Sequence, residues 1–238
     1  MGAEQWVSLY SGGKDSAAAL QRARDAGLSI DRLVTVHPPD GSYLYHVPAT
    51  NLTALASLSI GVGLTAVEGE ASPGHDSTVR GDQELEPLEE TLKDLQSEID
   101  GGLAGVTVGA IESDYQADRI ADMCRRLGID MYAPLWRRDP MELGEWLLER
   151  GFQVRIVSVA AAGLEESWLG RELDATALDE LAALNEERGV HVLGEGGEYE
   201  TLVTDGPHMA RPIEIEYHTE WMGDRGHLVI ESAELGDA

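Results

Sequence analysis

Short apolar runs alternate with longer amphipathic stretches along the first half of the chain. Five runs are typical of buried strands: "WVSLY" at residues 6–10, "RLVTVH" at 32–37, "LTAVEG" at 64–69, "VTVGAI" at 106–111 and "DMYAPLW" at 130–136. Between these runs, apolar residues recur every three or four positions, as at Leu88, Leu92, Leu95 and Ile99. That spacing predicts amphipathic helices. Strands that alternate with helices predict a parallel α/β sheet.

The alternation changes near residues 134–139. Asp139 and Pro140 have the form of a helix start, and a further helix is predicted from about Asp174 to Arg188. The runs "QVRIVSVAA", "IEIEYH" and "HLVIES" are typical of strands. We therefore predict an N-terminal Rossmann-like parallel sheet over residues 1–135 and a smaller C-terminal α+β domain over residues 136–238. We expect the second domain to pack on the first and to complete the substrate site.

Composition indicates a soluble globular protein. The chain has 238 residues, of which 42% are hydrophobic, enough for an ordinary packed core. The longest apolar stretch, "IVSVAAAGL", is far shorter than the roughly 20 residues of a membrane helix, so we expect no membrane partner and a cytoplasmic location. Cys124 is the single cysteine, which excludes an internal disulfide and a cysteine-rich metal site.

The chain is strongly acidic, with 44 acidic and 17 basic residues and a net charge of −27. Lysine occurs only at Lys14 and Lys93. Because nucleic-acid binding depends largely on Lys and Arg, we expect no direct nucleic-acid partner. The acids are spread over helix faces, which indicates a solvated surface and suggests adaptation to high salt, where self-repulsion is screened.

The stretch "SGGKDS" follows the first predicted strand and precedes the first predicted helix. It is not a Walker A loop, because Asp15 stands between Lys14 and Ser16 and the two glycines are adjacent. A strand-turn-helix junction also needs small residues for structural reasons alone. At such a junction, however, backbone N–H groups and the helix dipole converge on an anion.

The full hexapeptide resembles the PP-loop of the N-type ATP pyrophosphatases, which split ATP to AMP and pyrophosphate. The resemblance implies the HUP/PP-loop version of the Rossmann-like fold, with ATP and Mg²⁺ as cofactors. It assigns ATP binding to Ser11, Gly12, Gly13, Lys14, Asp15 and Ser16. The glycines let the backbone close on the phosphates and the serines donate hydroxyls, while Lys14 and Asp15 are assigned to catalysis. Asp15 is also the expected metal ligand.

Four further motifs are similar in order and spacing to the diphthine–ammonia ligase family. They are "SYLYHVPATNL", "GAIESDYQADRI", "LEESWLGRELD" and "GEGGEYET". The resemblance implies that ATP adenylates the carboxylate of diphthine on translation elongation factor 2. Ammonia then displaces AMP to give the amide, diphthamide. The family resemblance leaves open whether the chain forms a homo-oligomer.

The family resemblance also assigns residues at two strand ends to the nucleotide: His37, Gly109, Ala110, Ile111 and Ser113. A plain strand end before a capped helix is the alternative, because Ser113 and Gln116 have the form of a capping box.

Substrate contacts are assigned to Tyr43, His46, Asn51, Tyr115, Trp168, Gly196 and Gly197. Each side chain has a structural alternative. His46 is equally consistent with a loop histidine, Asn51 with a helix cap, and Tyr115 and Trp168 with the core. Trp168 is also suited to a cation–π contact with the trimethylammonium group of diphthine.

The segment "GEGGEYET" combines three glycines with Glu195, Glu198 and Glu200. Clustered glutamates are usually a solvated surface, but interleaved glycines do not suit a helix and indicate an extended loop with close backbone approach. We predict that the three glutamates are catalytic, with Glu198 as the leading general base. Carboxylates suit the capture and deprotonation of ammonium. They equally suit recognition of the quaternary ammonium group of diphthine, and the sequence alone does not choose between these roles.

Three competing functions remain open on sequence alone. A tRNA-modifying sulfurtransferase of the PP-loop class is opposed by the acidic charge and by the single cysteine, which lies on an apolar helix face. A ligase that amidates a free metabolite is not excluded. A non-catalytic nucleotide-binding module, whose second region binds protein, is also compatible.

The acidic surface generates a prediction about salt. If the surface is adapted to high salt, the midpoint of thermal unfolding should rise between low and molar KCl, because added ions screen the repulsion among carboxylates. Differential scanning calorimetry across that range measures it. A midpoint that does not rise would rule out halophilic adaptation.

Overall fold

The computed structural model describes residues 4–37, 49–68, 77–112 and 114–237. The first half of the chain forms a parallel sheet of five strands in the order β3-β2-β1-β4-β5. The strands are β1 (Gln5–Leu9), β2 (Ser29–His37), β3 (Gly63–Glu68), β4 (Leu103–Thr107) and β5 (Asp130–Tyr132). The helices that connect them are α1 (Lys14–Asp25), α2 (Ala49–Ile60), α3 (Ser77–Glu98) and α4 (Asp114–Leu127). The predicted Rossmann-like sheet is confirmed.

The order of the strands creates a crevice beside the central strand. The chain adds β2 and β3 on one side of β1 and then crosses to add β4 and β5 on the other side. Connections leave β1 and β4 in opposite directions, so the carboxyl ends of these two strands flank an opening. Ligands of open α/β sheets bind at such a switch point.

The second half contains a smaller sheet in which all the strands pair antiparallel, in the order β7-β6-β9-β8. Its elements are α5 (Pro140–Glu149), β6 (Gln153–Val159), a short 3₁₀ helix (Glu166–Trp168), α6 (Ala175–Arg188), β7 (Tyr199–Asp205), β8 (Ile213–Met222) and β9 (Arg225–Leu235). The Asp139 side chain caps α5 by accepting from the N–H groups of Met141 and Glu142. No helix in the described ranges has both the length and the apolar content that a bilayer crossing requires.

The fourth strand was predicted with the wrong bounds. Its run of apolar residues continues to Ile111, but β4 ends at Thr107, where its pairing with β1 stops opposite Ser8. Gly109, Ala110 and Ile111 therefore lie in the loop beyond the strand. An apolar run marks burial, and here Val108 and Ile111 of the loop are buried as well as the strand.

The described residues form two apolar clusters. One lies under α3 and α4 and contains Val7, Val106 and Cys124. The larger one joins buried residues of α1 and α2 to the second half, from Tyr10 to Ile230. Because this core crosses the expected boundary, the division at residues 135 and 136 stays a prediction.

His208 lies within the larger core, just after β7. Its ring stacks on the Phe152 ring with the centroids 5.3 Å apart, and the residue is 3% exposed. The Arg24 guanidinium, which donates a hydrogen bond to the His208 carbonyl, also lies nearby. Burial, followed by the charge of Arg24, lowers the pKa of His208 from its ordinary value of 6.5 to about 3.

A buried neutral histidine should make stability depend on pH. The unfolded chain takes up a proton near pH 6.5, whereas folded His208 resists it down to about pH 3. Stability is therefore fully present above 6.5 and falls as the pH drops below it. His208→Phe keeps the stacking but cannot titrate. Between pH 7.5 and pH 5, the parent should lose about 2 kcal/mol more of unfolding free energy than this variant.

Denaturant titrations of both proteins at the two pH values give that difference directly. Comparing the two proteins cancels the contribution of the other acids and histidines. Parallel pH profiles for the parent and His208→Phe would contradict the account of this core.

Candidate active site

The loop after β1 places the start of α1 at the crevice. Gly12 has a φ of +86°, a left-handed conformation that other residues rarely adopt. Gly13 is the N-cap of α1 and has no side chain with which to cap the helix. The first N–H groups of a helix have no partner within the helix, so this end is suited to an anion.

Serine hydroxyls hold the loop together. The Ser16 hydroxyl donates to the Gly13 carbonyl at 2.9 Å and accepts from the Ser11 N–H at 3.2 Å. The Ser11 and Ser16 hydroxyl oxygens are 3.3 Å apart. Both serines border the crevice, so the two hydroxyls are in place to meet a ligand.

The same loop is hydrogen-bonded to β7 of the second sheet. The Val203 N–H donates to the Gly12 carbonyl at 2.9 Å, and the Lys14 N–H donates to the Thr201 hydroxyl at 3.2 Å. A Cβ at Gly13 would lie 3.3 Å from the Thr201 carbonyl oxygen. The glycine thus allows the loop to approach the strand closely.

Lys14 and Asp15 form an ion pair. The Lys14 ammonium is 2.9 Å from Asp15 Oδ2, its side chain is 4% exposed, and it lies 5.6 Å from the centroid of the Tyr199 ring. The other oxygen, Asp15 Oδ1, is buried and accepts no hydrogen bond within the described part of the chain. The assignment of Lys14 to ATP binding and catalysis stays a prediction; in this structure its ammonium group pairs with the neighbouring Asp15 carboxylate.

The crevice has a volume of about 330 Å³ and lies at the carboxyl ends of β1, β2 and β4. Of the residues predicted to form the site, those that line it are Ser11, Asp15, Ser16, Gly109, Ala110 and Glu195. Sequence reasoning missed its apolar lining, which is formed by Leu9, Tyr10, Val34, Val36, Val108 and Ile120. Such residues carry no signal that distinguishes them from ordinary strand and helix residues.

The loop after β4 packs directly on α1. A Cβ at Gly109 would lie 2.6 Å from the Asp15 carbonyl carbon, so only glycine permits this approach. Ala110 borders the crevice. Ile111 does not, because its side chain is completely buried in the larger core, and its carbonyl accepts from the Arg137 N–H. The assignment of this loop to the nucleotide stays a prediction, and the buried Ile111 side chain has no part in the lining of the crevice.

Other predicted residues lie away from the crevice or outside the described residues. His37 is buried at the end of β2 and does not line the crevice, whereas its neighbour Val36 does. Trp168 is buried, and the Arg171 guanidinium lies 4.4 Å from its ring centroid. The Trp168 ring thus already contacts a cation of this chain. This contact favours a structural role for Trp168 in the core over a contact with the trimethylammonium group of diphthine. Outside the described residues lie Tyr43, His46 and Ser113, together with the side chains of Asn51 and Tyr115.

The segment at residues 194–201, termed here the glutamate segment, places one carboxylate in the crevice. Glu195 lines the crevice, and its Oε2 accepts from the Glu112 N–H at 3.4 Å. Partial burial, followed by the neighbouring Asp15 carboxylate, raises the pKa of Glu195. Gly196 and Gly197 are exposed at the turn that follows.

The other two glutamates of the segment point elsewhere. Glu198 Oε1 accepts from the His191 N–H at 3.0 Å, so this side chain closes the segment on itself. Glu200 is exposed on β7, opposite Ser158 of β6. The predicted extended loop is in fact a compact turn that ends at β7, and Glu195 replaces Glu198 as the carboxylate nearest the crevice.

Cys124 has no place in this chemistry. It lies on the buried face of α4, as predicted, and burial raises the pKa of its thiol to about 11. Within the described ranges, no group of three or more histidine, cysteine, aspartate or glutamate side chains is arranged to hold a metal ion.

A glycine-rich loop and a helix N-terminus at the switch point of a parallel sheet define an α/β nucleotide-binding protein. Comparison with known proteins narrows this class. Residues 4–131 match the diphthamide synthase N-terminal domain, and residues 139–235 match the diphthamide synthase C-terminal domain. The chain belongs to the diphthamide synthase family, which confirms the resemblance found in its motifs.

Relatives named diphthine–ammonia ligase support this membership. The Danio rerio relative is 37% identical over 222 residues, which cover 88% of this chain and 86% of the relative. The Homo sapiens relative is 33% identical over 245 residues, covering 96% of this chain and 86% of the relative. The Schizosaccharomyces pombe relative is 32% identical over 87% of this chain, which corresponds to 35% of that longer protein.

Proposed function

We propose that this chain amidates diphthine on translation elongation factor 2 to diphthamide. ATP activates the carboxylate, ammonia supplies the nitrogen, and AMP and pyrophosphate are released. The reaction has two steps: formation of an acyl-adenylate and its attack by ammonia. Membership of the diphthamide synthase family supports the substrate.

The observation that carries the proposal is that one crevice is bordered both by an anion site and by carboxylates. The start of α1 offers an anion site, and the carboxylates of Asp15 and Glu195 border the same space. An anion site suits the phosphates of ATP, and carboxylates suit cations. Adenylation needs the first and amide formation needs the second.

The loop after β1, termed here the opening loop, is suited to bind the phosphates of ATP. Gly12 and Gly13 let this loop pack closely against β7, and the hydroxyls of Ser11 and Ser16 border the crevice beside the helix start. These groups stabilise the negative charge that develops as pyrophosphate departs. The loop beyond β4, at Gly109 and Ala110, forms the opposite border.

Mg²⁺ fits the donor set at Asp15. Asp15 Oδ1 is a buried carboxylate oxygen without a hydrogen-bond donor in the described residues, and oxygen is the ligand that Mg²⁺ prefers. The described residues hold no preformed cluster of metal ligands, so phosphate oxygens would complete the coordination. When bound, Mg²⁺ supplies positive charge that offsets the charge of the phosphates.

In the adenylation step, a carboxylate oxygen of diphthine attacks the α-phosphorus of ATP. The bond from that phosphorus to the bridging oxygen breaks, and pyrophosphate leaves with the electron pair. Lys14 contributes indirectly, because its ion pair holds the Asp15 carboxylate in place.

In the second step, Glu195 serves as the general base. Ammonium gives a proton to Glu195, the nitrogen attacks the acyl carbon, the bond to AMP breaks, and a second proton is lost as the amide forms. Partial burial, which raises the pKa of Glu195, makes it a better proton acceptor. Glu198 supports this residue by holding the segment, through its bond to the His191 N–H.

The proposal also defines the partners and the location. A protein substrate that works in translation places the enzyme in the cytoplasm. The net charge of −27 disfavours direct contact with RNA, so the elongation factor itself is the expected docking partner. A salt-adapted surface is compatible with that role.

Purified elongation factor 2 carrying diphthine, with ATP, Mg²⁺ and ammonium, tests the proposal. AMP, pyrophosphate and diphthamide should form in equal amounts without glutamine, and Asp15→Asn should abolish all three. Glu195→Gln should bind ATP within a few-fold of the parent but lower amide formation by ~10²-fold or more, the scale of a lost general base. Nucleotide chromatography and mass spectrometry of the factor follow the two steps separately.

Two controls define the outcome. The exposed residue Glu234 on β9 gives a matched substitution, Glu234→Gln, which should leave the rate unchanged. Glu198→Gln should have a smaller effect than Glu195→Gln, because an amide oxygen still accepts from the His191 N–H. Formation of ADP and phosphate, or strict dependence on glutamine, would refute the proposal. A Glu195→Gln variant as active as the parent would refute the role of Glu195.

A further inference from the structure

His191 lies in the turn between α6 and β7, directly before the glutamate segment. Its side chain is 18% exposed, and it does not line the crevice. A lone histidine in a loop gives no signal in the sequence. Its hydrogen bonds, however, reach both ends of the segment that carries Glu195.

The imidazole accepts two backbone hydrogen bonds at one nitrogen. His191 Nδ1 lies 3.1 Å from the Leu193 nitrogen and 3.3 Å from the Glu195 nitrogen, and both N–H groups donate to it. An atom that accepts from two donors carries no proton, so the ring proton belongs on Nε2. Nε2 lies 3.7 Å from a carboxylate oxygen of Glu112.

The backbone of His191 closes the turn from the other side. Its N–H donates to Glu198 Oε1 at 3.0 Å, and its carbonyl accepts from the Gly194 N–H at 3.0 Å. Gly194 has a φ of +70°, and a Cβ there would lie 2.8 Å from the Tyr199 carbonyl oxygen. A tight turn therefore wraps around one imidazole.

These bonds fix the direction of Glu195. Its N–H is held at His191 Nδ1, and its carboxylate reaches the Glu112 N–H, which follows the loop that borders the crevice. Glu112 therefore contacts the turn twice, through its N–H at Glu195 and through its carboxylate near His191. Without the acceptor at Nδ1, the N–H groups of Leu193 and Glu195 would lose their partner inside the turn.

We propose that His191 is a positioning residue that holds Glu195 at the crevice through the two hydrogen bonds accepted by Nδ1. The proposal rests on the proposed function for its kinetic consequence. The hydrogen bonds themselves can be tested without any substrate.

Two substitutions separate the nitrogens of the ring. In His191→Asn, the side-chain oxygen is near the former Nδ1 and retains an acceptor for the two N–H groups. In His191→Gln, the longer amide extends toward the former Nε2 and removes that acceptor. His218→Gln on β8, where the histidine is exposed and pairs with Glu231, is the matched control.

The kinetic test uses diphthine-bearing elongation factor 2 with saturating ammonium. His191→Gln should lower kcat for amide formation about tenfold or more and leave the KM for ATP within about threefold, since the opening loop is unchanged. His191→Asn should keep kcat within about threefold of the parent, and His218→Gln should match the parent. A rescue by Asn but not Gln identifies the acceptor at Nδ1.

Amide hydrogen exchange and the tautomer give readouts independent of activity. In the parent, the Leu193 and Glu195 amides should be protected and the ring should carry its proton on Nε2 in a long-range ¹H–¹⁵N correlation spectrum. Protection should persist in His191→Asn and disappear in His191→Gln. If the parent protein forms no diphthamide but shows this pattern, the proposed function fails and the hydrogen bonds of His191 stand.

Any of four results would overturn the proposal. The first three are a ring proton on Nδ1 in the parent, equal losses of kcat in His191→Asn and His191→Gln, and unchanged kcat in both. A loss of ATP affinity in step with kcat would likewise overturn it, because that result indicates general disruption of the site.

Discussion

The hydrogen bond from the Val203 N–H to the Gly12 carbonyl, with its neighbour from the Lys14 N–H to the Thr201 hydroxyl, joins the two sheets at the point where the site is built. A glycine-rich loop that follows a strand is free at one side. Here that side is covered by β7, so the loop is held by a strand that lies far from it in sequence. The position of α1, and therefore the anion site at its start, depends on this contact.

Because of this contact, the single strand β7 positions the residues at both borders of the crevice. The glutamate segment leads directly into β7, so the strand that fixes the opening loop also fixes the turn that carries Glu195. Asp15 and Glu195 thus come from opposite halves of the chain and border one space. The shared apolar core beneath α1 and α2 packs the two halves together.

The sequence predicted the parts that depend on local pattern. Strand and helix alternation, the loop at Gly12 and Gly13, the Asp139 cap and the buried position of Cys124 all follow from spacing and residue type. It did not predict contacts between distant segments, such as Thr201 with the Lys14 N–H. The preference for Glu198 over Glu195 stays an untested prediction, and the sequence did not show that Glu195 lines the crevice while Glu198 bonds to the His191 N–H. The sequence does not distinguish the three glutamates of this motif from one another. Their different positions become visible only in the turn around His191, where Glu198 and Glu195 form different hydrogen bonds.

The direct test of a site shared by the two sheets compares Thr201→Val with Thr204→Val. Both substitutions remove one hydroxyl from β7, but Thr201 accepts from the Lys14 N–H, whereas Thr204 donates to the Gln153 carbonyl, away from the loop. Calorimetric titration with ATP and Mg²⁺ should show binding weakened about fivefold or more in Thr201→Val, the value of one lost hydrogen bond, and unchanged in Thr204→Val. Parental ATP affinity in Thr201→Val, or equal losses in both variants, would contradict the account.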